Sequence, residues 1–365
     1  MPDTRPGLKF RDGICYACIH YEKQKDTDWT KRWHELELIC EKYRGSNGNS
    51  YDCAIAVSGG KDSHFQTHII KDKLKMNPLL LSVGNFDWTN TGRENFDNLS
   101  DAFGCDTILL QPNRRLGRIM LRRAFEEIGS PMWYPDALIY SFPVRMCMKL
   151  GIRLLIYGED INYFYGGEFD TETPSALLQS KNDVVKPVWD IWFKDKQIDE
   201  KELEMAKQPD INEVKKFGLD PIYLSYFVPW NSHKNYELAT QFGFKTLENE
   251  YERAGSIDNY DQIDSLPYLL NPYLKYPKYG HSVATDNASR LIRYGMKTRE
   301  EMIPIVEEKD GKLDQGIVKK FLEFTGMNEE EFFKVLDKWY NPELFERNDS
   351  GVWTPKFKVG SGLIK

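Results

Sequence analysis

Between residues 51 and 160 the chain alternates short apolar runs with stretches whose apolar positions recur at helical spacing. "YDCAIAV" (51–57), "PLLLSV" (78–83), "DTILL" (106–110) and "RLLIY" (153–157) are continuous and short, and they predict buried strands. Between them, Phe65, Ile69, Ile70 and Leu74 follow the helical period, as do Phe96, Leu99, Ala102 and Phe103, and then Leu116, Ile119, Ala124 and Phe125. Strands alternating with helices predict right-handed crossovers and a parallel sheet covered on both faces, an α/β fold. On such a sheet, ligands sit at the carboxyl ends of the strands.

Beyond residue 170 the pattern changes to loops rich in Pro, Asp and aromatic residues, followed by helices. Thr298 with Glu301, and Asn328 with Glu331, have capping-box spacing, and each pair predicts a helix start. The chain divides on this basis into an amino-terminal segment (1–45), a sheet-bearing domain (46–170) and a mainly helical part (171–365). No internal repeat or low-complexity linker marks the divisions.

Composition excludes some classes of function. A formal charge of -7 and a pI near 5.6 argue against a nucleic-acid partner, which calls for a basic surplus. The 13% aromatic share suits base or sugar stacking, but on its own it argues only for ordinary packing. "MPDTRPGLKFRDGICYAC" has no apolar leader core, and no window approaches the roughly 18 apolar residues that cross a bilayer. The expectation is a cytoplasmic protein without membrane insertion. Cysteines at 15, 18, 40, 53, 105 and 147 then read as free thiols or metal ligands rather than a disulfide framework.

The chemistry begins where the first strand ends. Ser58-Gly59-Gly60-Lys61-Asp62-Ser63 joins a strand to a helix, so backbone N–H groups and the positive helix end converge where an anion could sit. A Walker A loop needs glycine and Ser or Thr where this chain has Ile55 and Asp62. The segment instead resembles the PP-loop, S-G-G-x-D-S, of the N-type ATP pyrophosphatases, the group of argininosuccinate and asparagine synthetases and tRNA thiolases. That resemblance implies a Rossmann-like sheet of the adenine nucleotide α-hydrolase (HUP) type. It also implies ATP split between its α and β phosphates, with Ser58, Gly59, Gly60, Lys61, Asp62 and Ser63 binding nucleotide and Asp62 holding Mg2+. Gly158-Glu159-Asp160 ends the fourth predicted strand on the same sheet edge, where carboxylates could bind metal or orient an acceptor.

"DWTNTGRENFDNL", "GSPMW", "YGEDINYFYGGE", "YFVPWN", "FGFKTLENEYERAGSIDNYDQID" and above all "YLKYPKYGHSVATDNASRLIRYGMKTREE" resemble the N-acetyl sugar amidotransferases. These are bacterial proteins of O-antigen, pseudaminic and legionaminic acid pathways. The implied reaction converts an acetamido group of a sugar or sugar nucleotide to an acetamidino group, using ATP and ammonia. The resemblance moves Lys275 and Lys278 towards catalysis, and Trp88, Glu168, Trp230, Asp286, Arg290 and Arg293 towards the substrate. Without it, Asp286, Arg290 and Arg293 read as an ion-pair row on one helical face, and Trp230 serves packing equally well. No cysteine lies in a glutaminase elbow and Met1 precedes Pro2, so ammonia is expected from a separate glutaminase through a cyclase-like channelling subunit, as the family implies. The family also opens on paired C-x-x-C motifs resembling a zinc ribbon. Here Cys15 and Cys18 form one pair with no upstream partner, so any Zn2+ site is expected to be incomplete, and His20 reads as a surface residue. Two other functions share the loop, a tRNA thiolase and a non-catalytic adenine-nucleotide sensor.

Overall fold

A computed structural model describes residues 1–48, 50–166, 172–179 and 198–363 of the chain. A small antiparallel hairpin, β1 (Phe10–Arg11) and β2 (Ile14–Cys15), comes first. The central sheet holds β3 (Cys53–Ala56), β4 (Pro78–Val83), β5 (Thr107–Leu110), β6 (Leu154–Tyr157) and β7 (Asp220–Tyr223). All five are parallel, in the order β5-β4-β3-β6-β7, with Ala54 beside both Leu79 and Leu155. The first four are the runs expected from periodicity. The fifth is not, because "DPIY" is short, carries Pro221 and lies beyond the composition shift at residue 170.

The helices of the first half are α1 (Tyr16–Lys23), α2 (Trp29–Tyr43), α3 (Lys61–Thr67), α4 (Asn90–Phe103), α5 (Arg114–Ile128), α6 (Trp133–Leu150) and α7 (Ile161–Tyr165). Their ends are chemically marked. The Thr89 hydroxyl accepts from Gly92 N–H at 2.8 Å to start α4, and Asn113 does the same for Arg115 and Leu116 at the start of α5. Gly104 and Gly129 close these two helices in the left-handed conformation.

Alternation along the strands splits the core. Cys53, Ile55, Leu80, Leu154, Ile156 and Ile222 pack with Leu36 and Cys40 of α2, Ile70, and Leu99 and Phe103 of α4. Ala54, Leu79, Leu81, Leu155 and Tyr223 face Phe142 and Cys147 of α6. The sheet is therefore covered by helices on both sides, and the sides meet where the strand order reverses between β3 and β6. In open parallel sheets that reversal opens a crevice at the carboxyl ends.

The carboxyl-terminal part is largely helical, as its patterning suggests. It includes α8 (Ser232–Gln241), α9 (Val283–Arg293) and helices Leu266–Tyr273, Arg299–Lys309, Gln315–Thr325 and Glu329–Lys338. Both capping boxes form, Thr298 with Glu301 and Asn328 with Glu331. Several of these helices share a core with α5 and α6, in which Phe125 lies 5.4 Å from Phe321 and 5.1 Å from Phe332 between ring centres. Among the described residues no helix is long and apolar enough to cross a membrane.

Phe125 is fully buried at this junction. Phe125→Ala is expected to cost about 3–5 kcal/mol, measured as a fall in denaturant midpoint; an unchanged midpoint would mean that the two halves do not share this core.

Candidate functional site

Strand β3 ends at Ala56, and the chain turns through Ser58 to Gly60 into α3. Gly59 has φ +90°, and a Cβ there would lie 2.7 Å from the Phe96 Cα, so both the turn and the close approach to α4 require glycine. The turn is fastened internally: Ser58 N–H donates to Ser63 Oγ at 2.9 Å, and Gly60 N–H to Ser58 Oγ at 3.3 Å. Ser63 is buried, and Ser58 is exposed at the mouth.

Lys61 begins α3 with its side chain only 7% exposed. Its ammonium pairs with Asp62 at 2.7 Å and with Asp261. Burial opposes the charge on Lys61, but Asp261 and Asp62 outweigh it and hold the lysine protonated well above its usual range. The other oxygen of Asp62 accepts from Asn235 Nδ2 on α8 at 2.8 Å. Asp261 also takes Arg290 of α9, which lies 3.9 Å from Asp258. Arg253 in turn holds Asp258 at 2.9 Å, and Asn287 donates to the same carboxylate. Burial pushes the Asp261 carboxyl up, yet Arg290 and then Lys61 bring it well below the usual carboxylate range.

Glu159 follows β6 directly, on the other side of the crevice. It keeps part of its surface, while its carboxyl accepts from the Tyr165 hydroxyl at 3.1 Å. Burial, and then the charge of Asp62, push it up to about 7. Asp160 is buried and turned away: it accepts from Tyr163 N–H at 3.3 Å, and its own N–H donates to Ser225 Oγ. At Gly158 a Cβ would meet Gln66 Nε2 at 2.9 Å and the Trp230 ring at 3.1 Å. Trp230 is 3% exposed and stands edge-on to Phe65, so it forms the wall behind Gly158.

The remaining residues singled out from sequence are more dispersed. Trp88 lies half-buried over Phe96, 5.4 Å between ring centres, beside the loop. On α9, Asp286, Arg290 and Arg293 do not pair with one another as a surface row. Asp286 takes Arg5 at 3.1 Å and Lys275, Arg290 reaches Asp261, and the charge of Arg293 acts on Cys15 and Cys18. Lys278 instead donates to the Gly129 carbonyl at 2.7 Å, and burial lowers it to about 8. Glu168 lies outside the described residues.

Periodicity did not point to Asp258, Asp261, Arg253, Asn235 or Tyr165. Asp258 and Asp261 sit in "SIDNYDQID", where acids beside Ser and Asn read as turn chemistry. Asn235 and Tyr165 lie on helices with nothing to separate them from surface polar residues. What distinguishes the two aspartates is the pairing with Lys61 and Arg290, which only the folded chain supplies.

Mg2+ is usually held by one or two carboxylates together with phosphate oxygens. Asp62 and Glu159 are two carboxylates close enough for the charge of Asp62 to act on Glu159, and hard oxygen donors of that kind suit the ion. Gln66 Oε1 and Ser82 Oγ are buried with no hydrogen-bond partner among the described residues. Cys15 and Cys18 lie 3.4 Å apart between sulfurs, and the hydrogen bond between the two side chains brings the Cys15 thiol down to about 5. Four-coordinate zinc needs two further ligands. Among the described residues no group of three His, Cys, Asp or Glu side chains is placed to hold a metal.

Comparison with known proteins adds a name for one region. Residues 234–358 match the family of LPS biosynthesis proteins described as WbpG-like, C-terminal domain. That stretch contains all but the first two residues of α8, the Asp258–Asp261 loop and α9. The chain is also 28% identical over 150 residues to an uncharacterized protein of Methanocaldococcus jannaschii. The match covers 41% of this chain and spans about half, 52%, of that relative.

Two expectations follow from the geometry. Gly59→Ala should lower the unfolding midpoint in denaturant; an unchanged midpoint would show that the turn tolerates a Cβ. Glu159 titrates at about 7 when folded against an ordinary 4.5, so its contribution to stability is present at low pH and is lost as pH rises through 7. Between pH about 5 and about 8, wild type should therefore lose on the order of 1–2 kcal/mol more stability than Glu159→Gln. Parallel curves would mean that the carboxyl is not enclosed.

Proposed function

We propose that the protein is an ATP-dependent amidotransferase of bacterial surface-glycan biosynthesis, acting on the acetamido group of an N-acetyl sugar or sugar nucleotide. The observation that carries this reading is the convergence of Lys61, Asp62 and Glu159 at the reversal of the strand order. The groups that complete it, Asn235, Asp261 and Arg290, come from the stretch that matches the LPS biosynthesis family.

In this reading ATP binds as a substrate, with its phosphates against the N–H groups of residues 58–63 at the start of α3. Asp62 and Glu159 would hold the Mg2+, which when bound offsets triphosphate charge. Lys61 turns from Asp261 towards the phosphates, while Arg290 continues to neutralise that aspartate. An amide carbonyl is a poor electrophile. Its oxygen attacks the α-phosphorus, pyrophosphate leaves, and the resulting adenylated imidate accepts ammonia. AMP departs with the former amide oxygen, a proton is lost from nitrogen, and the acetamidino sugar remains. Trp88 and Phe96 form an aromatic wall beside the loop. Ammonia comes from a separate glutaminase through a channelling subunit.

The test is AMP and pyrophosphate release from Mg2+-ATP with an ammonium salt, N-acetyl sugars and their nucleotide conjugates being added singly. A sugar that triggers release, and whose mass changes by the replacement of oxygen with NH, is the expected result. Lys61→Ala should then reduce release by roughly a hundredfold. Release that no sugar stimulates would overturn the amidotransferase reading, and sulfur transfer to tRNA in a coupled assay would replace it.

A further inference from the structure

The amino-terminal C-x-x-C element lies against the site. Cys15 ends β2 and α1 follows immediately, so the two thiols mark the first turn of α1. Leu8, Cys15 and Ala17 make a small core of their own beneath it. Helix α1 also rests on α7, the helix that follows Glu159 and Asp160.

Two contacts fix that seating. The His20 ring is 1% exposed and stacks on Tyr163, 4.0 Å between centres and 4° from parallel. Its Nδ1 lies 2.9 Å from the Tyr163 carbonyl, which can only accept, so Nδ1 carries a proton and donates. One turn along, Gly166 has φ +78° and packs so closely that a Cβ would lie 2.3 Å from Leu8 Cδ1 and 3.4 Å from Ala17 Cβ. Between these contacts stands Tyr165, whose hydroxyl donates to Glu159. Histidine 20 is thus an internal strut and not the surface residue its sequence context suggests.

We infer that His20 is a positioning residue for Glu159: by holding Tyr163 in ring stack and hydrogen bond, it fixes α7 and so aims Tyr165 and the Glu159 carboxylate at the loop of Asp62. The inference rests on the proposed role of Glu159 as a metal-binding carboxylate. It extends the site to a segment outside both the phosphate loop and the stretch that matches the LPS family. A short helix such as α7, of five residues, has little stability of its own and takes its orientation from what it packs on. Partners of this outer kind commonly change metal affinity by roughly 10–100-fold when removed.

The experiment uses the full chain and reads ATP binding by calorimetry across a Mg2+ titration, with ATP in chelator as the internal control. His20→Phe keeps the flat ring and removes the donor, His20→Gln keeps a donor and removes the ring, and Tyr165→Phe and Glu159→Gln serve as references. Unfolding midpoints identify any variant that fails to fold. The expected result is a Mg2+ requirement raised about tenfold in His20→Phe, less in His20→Gln, and similarly in Tyr165→Phe, with metal-free ATP binding unchanged. Loss of metal-free and Mg2+-supported binding in parallel would make His20 merely structural and overturn the inference. A wild-type Mg2+ titration in both His20 variants, with Glu159→Gln shifted, would overturn it alone. An unshifted Glu159→Gln would remove the metal role of Glu159 and the inference with it.

Discussion

Asp261 is the carboxylate on which the arrangement of the site depends. It receives Lys61 from the start of α3 and Arg290 from the last turn of α9, so one side chain joins the sheet's first loop to the helical part. Both cations are buried or nearly so, and a buried charge without its partner is costly. Removing Asp261 would leave Lys61 with Asp62 alone and Arg290 with only the more distant Asp258, which makes the loop from 258 to 261 a structural tie as well as part of the site. Arg253 and Asn287 brace the neighbouring Asp258 and keep that loop in place.

From that tie the rest of the crevice follows. Lys61 is drawn in beside Asp62, Asp62 is steadied by Asn235, and burial, with the charge of Asp62 added to it, lets the carboxyl of Glu159 retain its proton near neutrality. Two carboxyls close together in a poorly hydrated crevice cannot both ionise freely. Wherever a cation enters, that repulsion becomes attraction. Glu159 thus has its titration set by the same enclosure that gives it a place beside the phosphate loop.

Much of the sheet was legible because buried parallel strands are continuous apolar runs and the helices between them keep the helical period. The loop at Ser58–Ser63 was legible because glycine, lysine and aspartate stand at the exit of a strand. Strand β7 was not, since four residues containing Pro221 give no periodic signal. Asp261 was hidden for a different reason. Its partners lie at positions 61 and 290, and no local pattern encodes pairing over such separations. His20 was hidden in the same way, because its neighbour is Tyr163. The row Asp286, Arg290 and Arg293 shows the opposite failure. Its spacing is helical, but its charges are spent on other elements, Arg5, Lys275 and Asp261 among them.

Glu159 apart, the charges around the loop come in equal numbers: Lys61, Arg253 and Arg290 stand against Asp62, Asp258 and Asp261. Such a shell has no surplus positive potential to draw in a polyanion. A polyanion gains little there from charge alone unless it brings counterions of its own, so the resting balance of the crevice favours a cation-complexed anion over a bare one.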